Sequence, residues 1–341
     1  MPLDRILLVR LRKIGDIVLT TPAVEVLKRA LPQASLTYVV EAPFRRLVEG
    51  HPALDDIVVL PRHASTGDVL AAARAARRKK YDAVLDFHGG PKAWWLTALS
   101  GARLKVGYRV KYRSFAYDRR VPRRPEHGRI HSVVNHVNLV RALGLDVPEP
   151  PPMSLPDPLP QERERVDALY AKAAPEGTRA VVLHIGAGNA FRDWGEENWT
   201  ALALRLARTD RVRVLLAGGT DDRRRAASIL ARTPSNVFPA TDDYNPIELR
   251  EIIRRASLFI GPDSGPMHIA ATTPTPSVVL FGPTVPEITG PWKPAATPII
   301  FQRDLDCRPC RQRTCVHGDF RCLRSIEVRE VYDACVRLGC F

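Results

Sequence analysis

Short apolar segments alternate with amphipathic segments of helical period along nearly the whole chain, and this alternation restarts once. The first run extends from an apolar strand at 5–11 to a helix at 131–143, and the second begins with a helix at 161–173. Between them, seven prolines lie in 148–160, too many for a helix or a central strand, so this segment is predicted to be a linker. Strands that alternate with helices form parallel sheets covered on both faces. The sequence therefore predicts an α/β protein with two Rossmann-like domains that face a central cleft.

The length of 341 residues suits two domains of about 150 residues, which we place at 1–150 and 151–325. Hydrophobic periodicity, together with the positions of Gly and Pro, predicts the elements. The predicted strands are 5–11, 36–40, 57–60, 83–87, 180–185, 212–217, 258–260 and 277–281. The predicted helices start at 16, 43, 68, 131, 161, 197, 221 and 247, with a short helix after 263.

The segment 261–284, GPDSGPMHIAATTPTPSVVLFGPT, has the pattern of a binding site for an anion. It follows an apolar strand, and Ser264, Gly265 and Pro266 then open a short helix whose first amides have no partner within the helix and attract phosphate. Asp263 or Ser264 is placed to cap this helix, and Pro266 suits its first turn. We expect a phosphate or diphosphate ligand here, although a well-capped helix without a ligand has the same pattern.

The positive charge is concentrated in the first half of the chain. Residues 1–150 contain 26 basic and 14 acidic side chains, a net charge of +12, whereas 151–341 contain 25 and 23, a net charge of +2. This asymmetry indicates an anionic partner, which is nucleic acid, a phosphorylated substrate or an acidic membrane surface; a merely solubilising surface is the alternative. The N terminus interleaves Arg and Lys with apolar residues and lacks the core of a signal peptide, so a cytoplasmic protein without transmembrane helices is expected.

Three predicted strand ends carry residues suited to chemistry. Asp16 follows the first strand, where an ionised carboxylate can take a proton from a substrate hydroxyl; helix capping is its alternative role. In HIGAGNAFRDW, Gly186 permits close backbone approach and Arg192 is a fixed positive charge for a diphosphate, but the third glycine of a dinucleotide fingerprint is absent. In LLAGGTDDRRRA, either Asp221 or Asp222 could accept hydrogen bonds from ribose hydroxyls, and capping explains both equally well.

All six cysteines lie in the last 35 residues. Cys307, Cys310, Cys315 and Cys322 have the spacing C-x2-C-x4-C-x6-C, which is close enough to gather around one metal ion, although the second pair lacks the short spacing of a zinc knuckle. A structural metal and reduced thiols packed in the fold both stay open. Disulfides are disfavoured in a cytoplasmic protein, and no nucleophile motif indicates a catalytic thiol.

Four ordered segments resemble the family of ADP-heptose:lipopolysaccharide heptosyltransferases, and the cysteine-rich tail points to heptosyltransferase II. They are RILLVRLRKIGDIVLTTPAVEVLKRALP, HIGAGNAFRDWGEENWTALA, GPDSGPMHIAA with VVLFGPT, and CRPCRQRTCVHGDFRCLRSI. Together they span nearly the whole chain. The resemblance implies the GT-B fold, with an acceptor domain first, a nucleotide-sugar domain second, and a C-terminal helix in 326–341 that packs back toward the first domain.

The resemblance also implies an inverting displacement without a catalytic cofactor. Asp16 would deprotonate the acceptor hydroxyl, whose oxygen would attack the anomeric carbon of ADP-heptose while ADP leaves. Helix amides and Arg192 would stabilise the leaving diphosphate. The implied donor-binding residues are Gly186, Arg192, Asp221, Asp263, Ser264, Gly265 and Pro266, with Asp263 positioning its loop. The first candidates for acceptor contact are Arg10, Arg12 and Lys13, and Arg109, Lys111 and Arg113 are weaker ones.

An acceptor with lipid A phosphates and acidic Kdo sugars would explain the basic first half, and it would bring the protein to the cytoplasmic face of the inner membrane. Two related functions stay open: a GT-B enzyme with another acceptor, such as a protein, and a non-catalytic nucleotide-sugar binding protein. Binding to nucleic acid is supported by charge alone and lacks a recognisable reading motif, so no nucleic-acid partner is expected.

Overall fold

The strands form two separate parallel sheets, one in each half of the chain. The structure, a computed structural model, describes residues 3–123, 129–241 and 244–340. The chain divides into two units, Met1–Asp157 and Pro158–Phe341, and the division lies in the proline-rich segment, where 148–159 has neither helix nor strand. Within the described residues, no helix combines the length and the apolar character that a membrane span requires.

The first unit contains a sheet with the strand order β3-β2-β1-β4-β5-β6. Its strands are β1 (Arg5–Val9), β2 (Ser35–Glu41), β3 (Asp56–Leu60), β4 (Ala83–Asp86), β5 (Leu104–Tyr108) and β6 (Arg119–Val121). Its helices are α1 (Ile14–Val18), α2 (Thr21–Ala30), α3 (Thr66–Lys79), α4 (Pro91–Leu99) and α5 (Ser132–Arg141), with 3-10 turns at Ala42–Leu47 and Ser114–Ala116. The central strands β1 and β4 are almost entirely buried, as expected for a sheet covered on both faces.

The second unit contains a sheet with the order β12-β11-β10-β7-β8-β9. Its strands are β7 (Arg179–His184), β8 (Val212–Ala217), β9 (Val237–Ala240), β10 (Leu258–Pro262), β11 (Ser277–Leu280) and β12 (Ile299–Phe301). Its helices are α6 (Pro160–Ala173), α7 (Glu196–Ala207), α8 (Arg223–Leu230), α9 (Pro246–Arg255), α10 (Gly265–Ala270), α11 (Pro286–Thr289), α12 (Arg321–Arg324) and α13 (Val328–Arg337), with 3-10 turns at Ala190–Arg192 and Thr220–Asp222.

The two sheets have the same topology. Counted from the first strand of its own unit, each sheet has the order 3-2-1-4-5-6, which is the order of a Rossmann fold. In such sheets, ligands bind outside the carboxyl ends of the strands, where the strand order reverses. This switch point lies between β1 and β4 in the first unit and between β7 and β10 in the second.

The C-terminal residues belong to the core of the second unit. Helix α13 packs against α7, and its Ala334 and Cys335 are buried in the same apolar cluster as Trp194 and Trp199. The indole Nε1 of Trp194 also donates to the carbonyl of Ile326 at 2.9 Å. The C-terminal helix is therefore present and anchored in its own unit, and its packing toward the first domain stays a prediction.

The predicted elements are present with small shifts at their ends, with three differences. The helix predicted from Asp16 is two helices, α1 and α2, and it begins at Ile14, so Asp16 is the third helical residue. The helix predicted from 43 is a 3-10 turn. The prediction lacks strands β5, β6, β9 and β12, because they are short or contain Lys, Arg, Gly or Pro. Pro239 is tolerated in β9 because β9 is an edge strand.

Candidate active site

Asp16 lies at the switch point of the first unit, just after β1, and is held there by a buried arginine. Its Oδ2 is 2.7 Å from Nη2 of Arg10 and accepts a hydrogen bond from the Lys13 amide at 3.2 Å. The Arg10 side chain is only 6% exposed, whereas half of the Asp16 side-chain surface is exposed. The carboxylate therefore caps the start of α1 and also presents a free edge to solvent.

The charge of Arg10 sets the ionisation of Asp16. Burial raises the pKa of Asp16, but the Arg10 guanidinium and the Lys13 amide outweigh it, so the pKa lies below the ordinary value for an aspartate. Asp16 is consequently ionised at neutral pH. This is the protonation state that a general base requires, although a low pKa also makes the carboxylate a weak base.

The structure gives Arg10 a different role from the predicted acceptor contact. In addition to Asp16, Arg10 donates to the carbonyls of Phe87 at 2.6 Å and Arg12 at 3.1 Å. The N–H donors of its guanidinium are therefore bound to other groups of the protein, and we regard Arg10 as a positioning residue for Asp16. Arg12 and Lys13 are exposed, which leaves them accessible to an anionic acceptor as predicted.

A buried carboxylate ends β4 on the other side of the switch point and was not predicted from the sequence. Asp86 accepts hydrogen bonds from the amides of His88 and Gly89, both at 2.8 Å, and from the Tyr117 hydroxyl at 2.7 Å. Burial raises the pKa of Asp86, and these donors only partly oppose the rise. Its bonds to the loop fix the backbone that Arg10 binds, so Asp86 helps to position Arg10.

Two imidazole rings, those of His88 and His136, also lie near Arg10 and Asp16 and were not predicted from the sequence. Burial, followed by the charge of Arg10, lowers the pKa of His88 to about 4 and that of His136 to about 3. The Nδ1 of His136 is 2.7 Å from the Tyr108 hydroxyl. Both rings are therefore neutral at pH 7. A lone histidine far away in sequence gives no motif signal, so only the fold brings them together.

In the second unit, Arg192 and Asp263 meet at the switch point. Arg192 Nη1 donates to the Asp263 carbonyl at 3.0 Å and lies 3.6 Å from its Oδ2, and Nε donates to Oε1 of Gln312 at 3.2 Å. The Thr284 hydroxyl also donates to Asp263. Burial raises the pKa of Asp263, and Arg192 and Thr284 only partly offset this. Asp263 thus organises the loop and orients Arg192, as its predicted positioning role requires.

The start of α10 differs in detail from the predicted anion site. Ser264 is the residue before the helix, but its hydroxyl does not cap the helix; it is buried and has no hydrogen-bond partner among the described residues. Pro266 has no N–H, and the Met267 amide already donates to the Ser264 carbonyl. The Ser264 hydroxyl is therefore an unsatisfied buried group, and such groups usually find a ligand or water.

The structure distinguishes the two candidate ribose acids. Asp222 Oδ2 accepts a hydrogen bond from the Gly219 amide at 2.9 Å and packs against Gly186, so it has a local structural role. Asp221 is exposed at the same carboxyl edge, beyond β8. This placement favours Asp221 as the residue free to contact a ribose, and that contact stays a prediction.

Of the two alternatives for Cys307, Cys310, Cys315 and Cys322, the described residues show free thiols and no cluster placed as a metal site. All four thiols are free and partly exposed, and the described part of the chain contains no group of three or more Cys, His, Asp or Glu residues placed to hold a metal ion. Two of the thiols accept hydrogen bonds from nearby amides: the Gln312 amide donates to Cys310, and amides of residues 317–320 lower the pKa of Cys315. The correction agrees with the missing short spacing in the second pair.

Comparison with known proteins identifies the family of this chain. The model of glycosyltransferase family 9 (heptosyltransferase) matches residues 69–320. The chain belongs to glycosyltransferase family 9. The matched range includes Arg192 and the loop with Asp263 and Ser264. Because members of this family are glycosyltransferases, the protein is a glycosyltransferase. The predicted family and enzyme class are therefore confirmed.

Individual members of family 9 are similar to this chain over nearly its whole length. Lipopolysaccharide heptosyltransferase 1 of Pseudomonas aeruginosa is 26% identical over 333 residues, covering 92% of this chain and 88% of that protein. Among solved structures, a family 9 glycosyltransferase from Veillonella parvula has a TM-score of 0.87 at 22% identity, covering 99% and 98% of the two chains. ADP-heptose LPS heptosyltransferase II of E. coli has a TM-score of 0.78 at 18% identity, covering 98% of each. These likenesses confirm the GT-B fold.

A glycine at position 186 is required in this family 9 enzyme by a close approach. A Cβ there would lie 2.1 Å from Oδ2 of Asp222, whereas a Cβ at Gly219 would lie 3.8 Å from the same atom. We expect Gly186→Ala to lower the free energy of unfolding by about 1 to 3 kcal/mol, because the carboxylate must move. The control Gly219→Ala is expected to change it by less than about 0.5 kcal/mol. Urea denaturation measures both, and equal effects would contradict this account.

Proposed function

We propose that this family 9 glycosyltransferase transfers heptose from ADP-heptose to the lipopolysaccharide inner core, onto a core that already carries heptose, as a heptosyltransferase II does. The observation that carries the proposal is the Asp16 carboxylate, which Arg10 keeps ionised at the carboxyl edge of a basic domain. The named relatives include both a heptosyltransferase 1 and a heptosyltransferase II, so the acceptor step is chosen from the cysteine-rich tail of the sequence.

In the proposed reaction, Asp16 takes the proton of an acceptor hydroxyl as the oxygen attacks the anomeric carbon of the donor heptose. The bond from that carbon to the β-phosphate oxygen breaks, ADP leaves, and the configuration inverts. Exposed Arg12 and Lys13 attract the phosphate and carboxylate groups of the acceptor, since both flank the base. Because the base is weak, it acts best while the leaving group is already departing.

On the donor side, the unsatisfied hydroxyl of Ser264 and the charge of Arg192 support diphosphate binding. Arg192 is oriented through the Asp263 carbonyl, so its position is fixed before any ligand arrives, which reduces the entropy cost of binding. Asp221 supplies an exposed carboxylate for ribose hydroxyls. The backbone of the donor loops is shaped by Gly186, Gly265 and Pro266. The proposed transfer step uses no cofactor.

The proposal is tested by measuring ADP release with purified protein. We expect turnover with ADP-heptose and at least about a hundredfold lower kcat/KM with UDP- or GDP-sugars, because the nucleotide contacts are lost. The acceptors to compare are Kdo-lipid A with and without a first heptose, and a protein acceptor. Faster transfer to the heptose-free core would assign the first heptose step instead. Transfer only to the protein would replace the acceptor class, and nucleotide binding without any turnover would indicate a binding protein.

A further inference from the structure

Three large aromatic side chains of the first unit project into solvent from helix α4 and from one loop. Tyr112 is 82% exposed, Phe115 is 72% exposed, and Trp95 is 49% exposed. Trp95 lies on helix α4, and the other two lie in the loop that follows strand β5. We call these three residues the aromatic patch. Exposing several such side chains together is unfavourable in water, so the patch indicates a partner surface.

The patch is held in place by a buried neighbour. The ring of Trp94 packs edge to face on Trp95 at 4.8 Å and on Phe115 at 5.2 Å between centroids. Its Nε1 donates to the Arg113 carbonyl at 2.6 Å, which ties the loop to α4. Trp95 and Phe115 therefore belong to one anchored structure that joins helix and loop, and Tyr112 lies in the same loop.

The surroundings of the patch are strongly basic. Residues 87–117 contain six Lys and Arg and no Asp or Glu. Arg109 and Lys111 are exposed in the same loop, and the Nζ of Lys111 lies 4.9 Å from the centroid of the Tyr112 ring. Lys92 precedes Trp95 by one turn of α4. Lys92, Arg109 and Lys111 thus lie in the same helix and loop as the exposed aromatic side chains.

Aromatic side chains that stand among cations fit the surface of an anionic bilayer. Tyr and Trp are enriched at the headgroup level, where one end of the ring is apolar and the other is hydrated. Lys and Arg near such a surface are attracted to negatively charged headgroups. Charge complementarity therefore favours a lipid surface over an apolar protein partner, which would leave the cations unpaired.

We propose that the aromatic patch, with Arg109 and Lys111, docks the first unit onto an anionic phospholipid bilayer. The loop that carries Tyr112 and Phe115 follows β5, at the same carboxyl edge of the sheet as Asp16. Docking through this loop places that edge toward the membrane. The inference concerns binding to lipid alone and does not depend on the donor or the acceptor of the proposed reaction.

The test is flotation of the full-length protein with phospholipid vesicles. We expect binding to vesicles of equal parts phosphatidylglycerol and phosphatidylcholine, much weaker binding to phosphatidylcholine alone, and release as salt rises. The double variant Tyr112→Ser/Phe115→Ser is expected to lower the partition coefficient about tenfold through lost apolar burial. Arg109→Gln/Lys111→Gln is expected to lower it about thirtyfold, since two cations near the surface are removed.

Matched controls separate the patch from general charge and hydrophobicity. Arg74→Gln/Arg78→Gln removes two exposed cations from α3 of the same unit, and Val316→Ser/Val336→Ser removes two exposed apolar side chains elsewhere. Both are expected to bind vesicles like the wild type. The inference is overturned if the patch variants bind equally well, if the controls lose as much, or if no vesicle binds. It is also overturned if the patch variants instead abolish a dimer or single-stranded RNA binding.

The same variants distinguish this inference from the proposed function. Tyr112→Ser/Phe115→Ser is expected to retain its turnover with a deacylated, water-soluble acceptor, because neither ring belongs to the proposed site. Thermal unfolding that matches the wild type shows that the fold is intact. Vesicle binding without sugar transfer would contradict the proposed function alone, and transfer without vesicle binding would contradict the docking surface alone.

Discussion

Asp16→Asn is expected to lower kcat for heptose transfer about a thousandfold while the affinity for ADP stays unchanged. A general base contributes about two to four orders of magnitude, and the amide cannot accept the hydroxyl proton. Asn keeps the size of the side chain and one oxygen for the Arg10 guanidinium and the Lys13 amide, so α1 keeps its start. Steady-state turnover and isothermal titration with ADP measure the two quantities.

The matched control is Asp68→Asn. Asp68 is also the third residue of a helix and is partly exposed, and its carboxylate accepts from the Ser65 amide at 2.7 Å, as Asp16 does from Lys13. Removing that cap costs about 1 kcal/mol of stability. If Asp68→Asn leaves turnover intact and Asp16→Asn abolishes it, capping is not the reason. Equal turnover in wild type and Asp16→Asn would remove Asp16 from the mechanism.

Arg10→Met is expected to move the acidic limb of the kcat/KM profile to higher pH and to lower its plateau about a hundredfold. Burial raises the pKa of Asp16, and Arg10 is the main group that opposes it, so the pKa rises once this charge is gone. Asp16 acts only when ionised, so activity must begin to fall at a higher pH as the solution is acidified. The plateau falls because Asp16 loses its orientation.

Arg12→Met is the control for Arg10→Met. Arg12 is exposed and lies two residues away, and its change is expected to raise KM for the acceptor without moving the acidic limb. Arg10→Lys is expected to give an intermediate limb, because an ammonium keeps the charge without the guanidinium's planar fork. An acidic limb that stays at the wild-type pH in Arg10→Met would show that Arg10 does not control the ionisation of Asp16.

The sequence was sufficient for the parts of the site that follow a strand directly. Each of these residues, Asp16, Gly186, Arg192 and Ser264, comes before the next long helix after a strand end, so alternation and the carboxyl-end rule place them. The same rule gave no information about side-chain direction. The sequence pattern therefore allowed Asp263 or Ser264 to cap α10 and Arg10 to contact the acceptor, whereas the fold buries the side chains of Ser264 and Arg10.

Other parts of the site depend on contacts between distant residues. Asp86, His88 and His136 lie 70 or more positions after Asp16, and each is isolated in its own segment of sequence. Their neutral rings and buried carboxyl result from desolvation, which only the packed structure defines. Likewise, cysteine spacing limits how far apart four thiols can lie, but it does not decide whether they converge on one point.

The anchoring of helix α13 also has a consequence for synthesis on the ribosome. The first unit has all of its core residues once position 157 has emerged, so it can fold while the rest is translated. The second unit lacks Ala334, Cys335 and the Ile326 carbonyl that binds Trp194 until position 335 has emerged from the ribosome. Its open core therefore stays accessible to chaperones for as long as α13 remains in the exit tunnel.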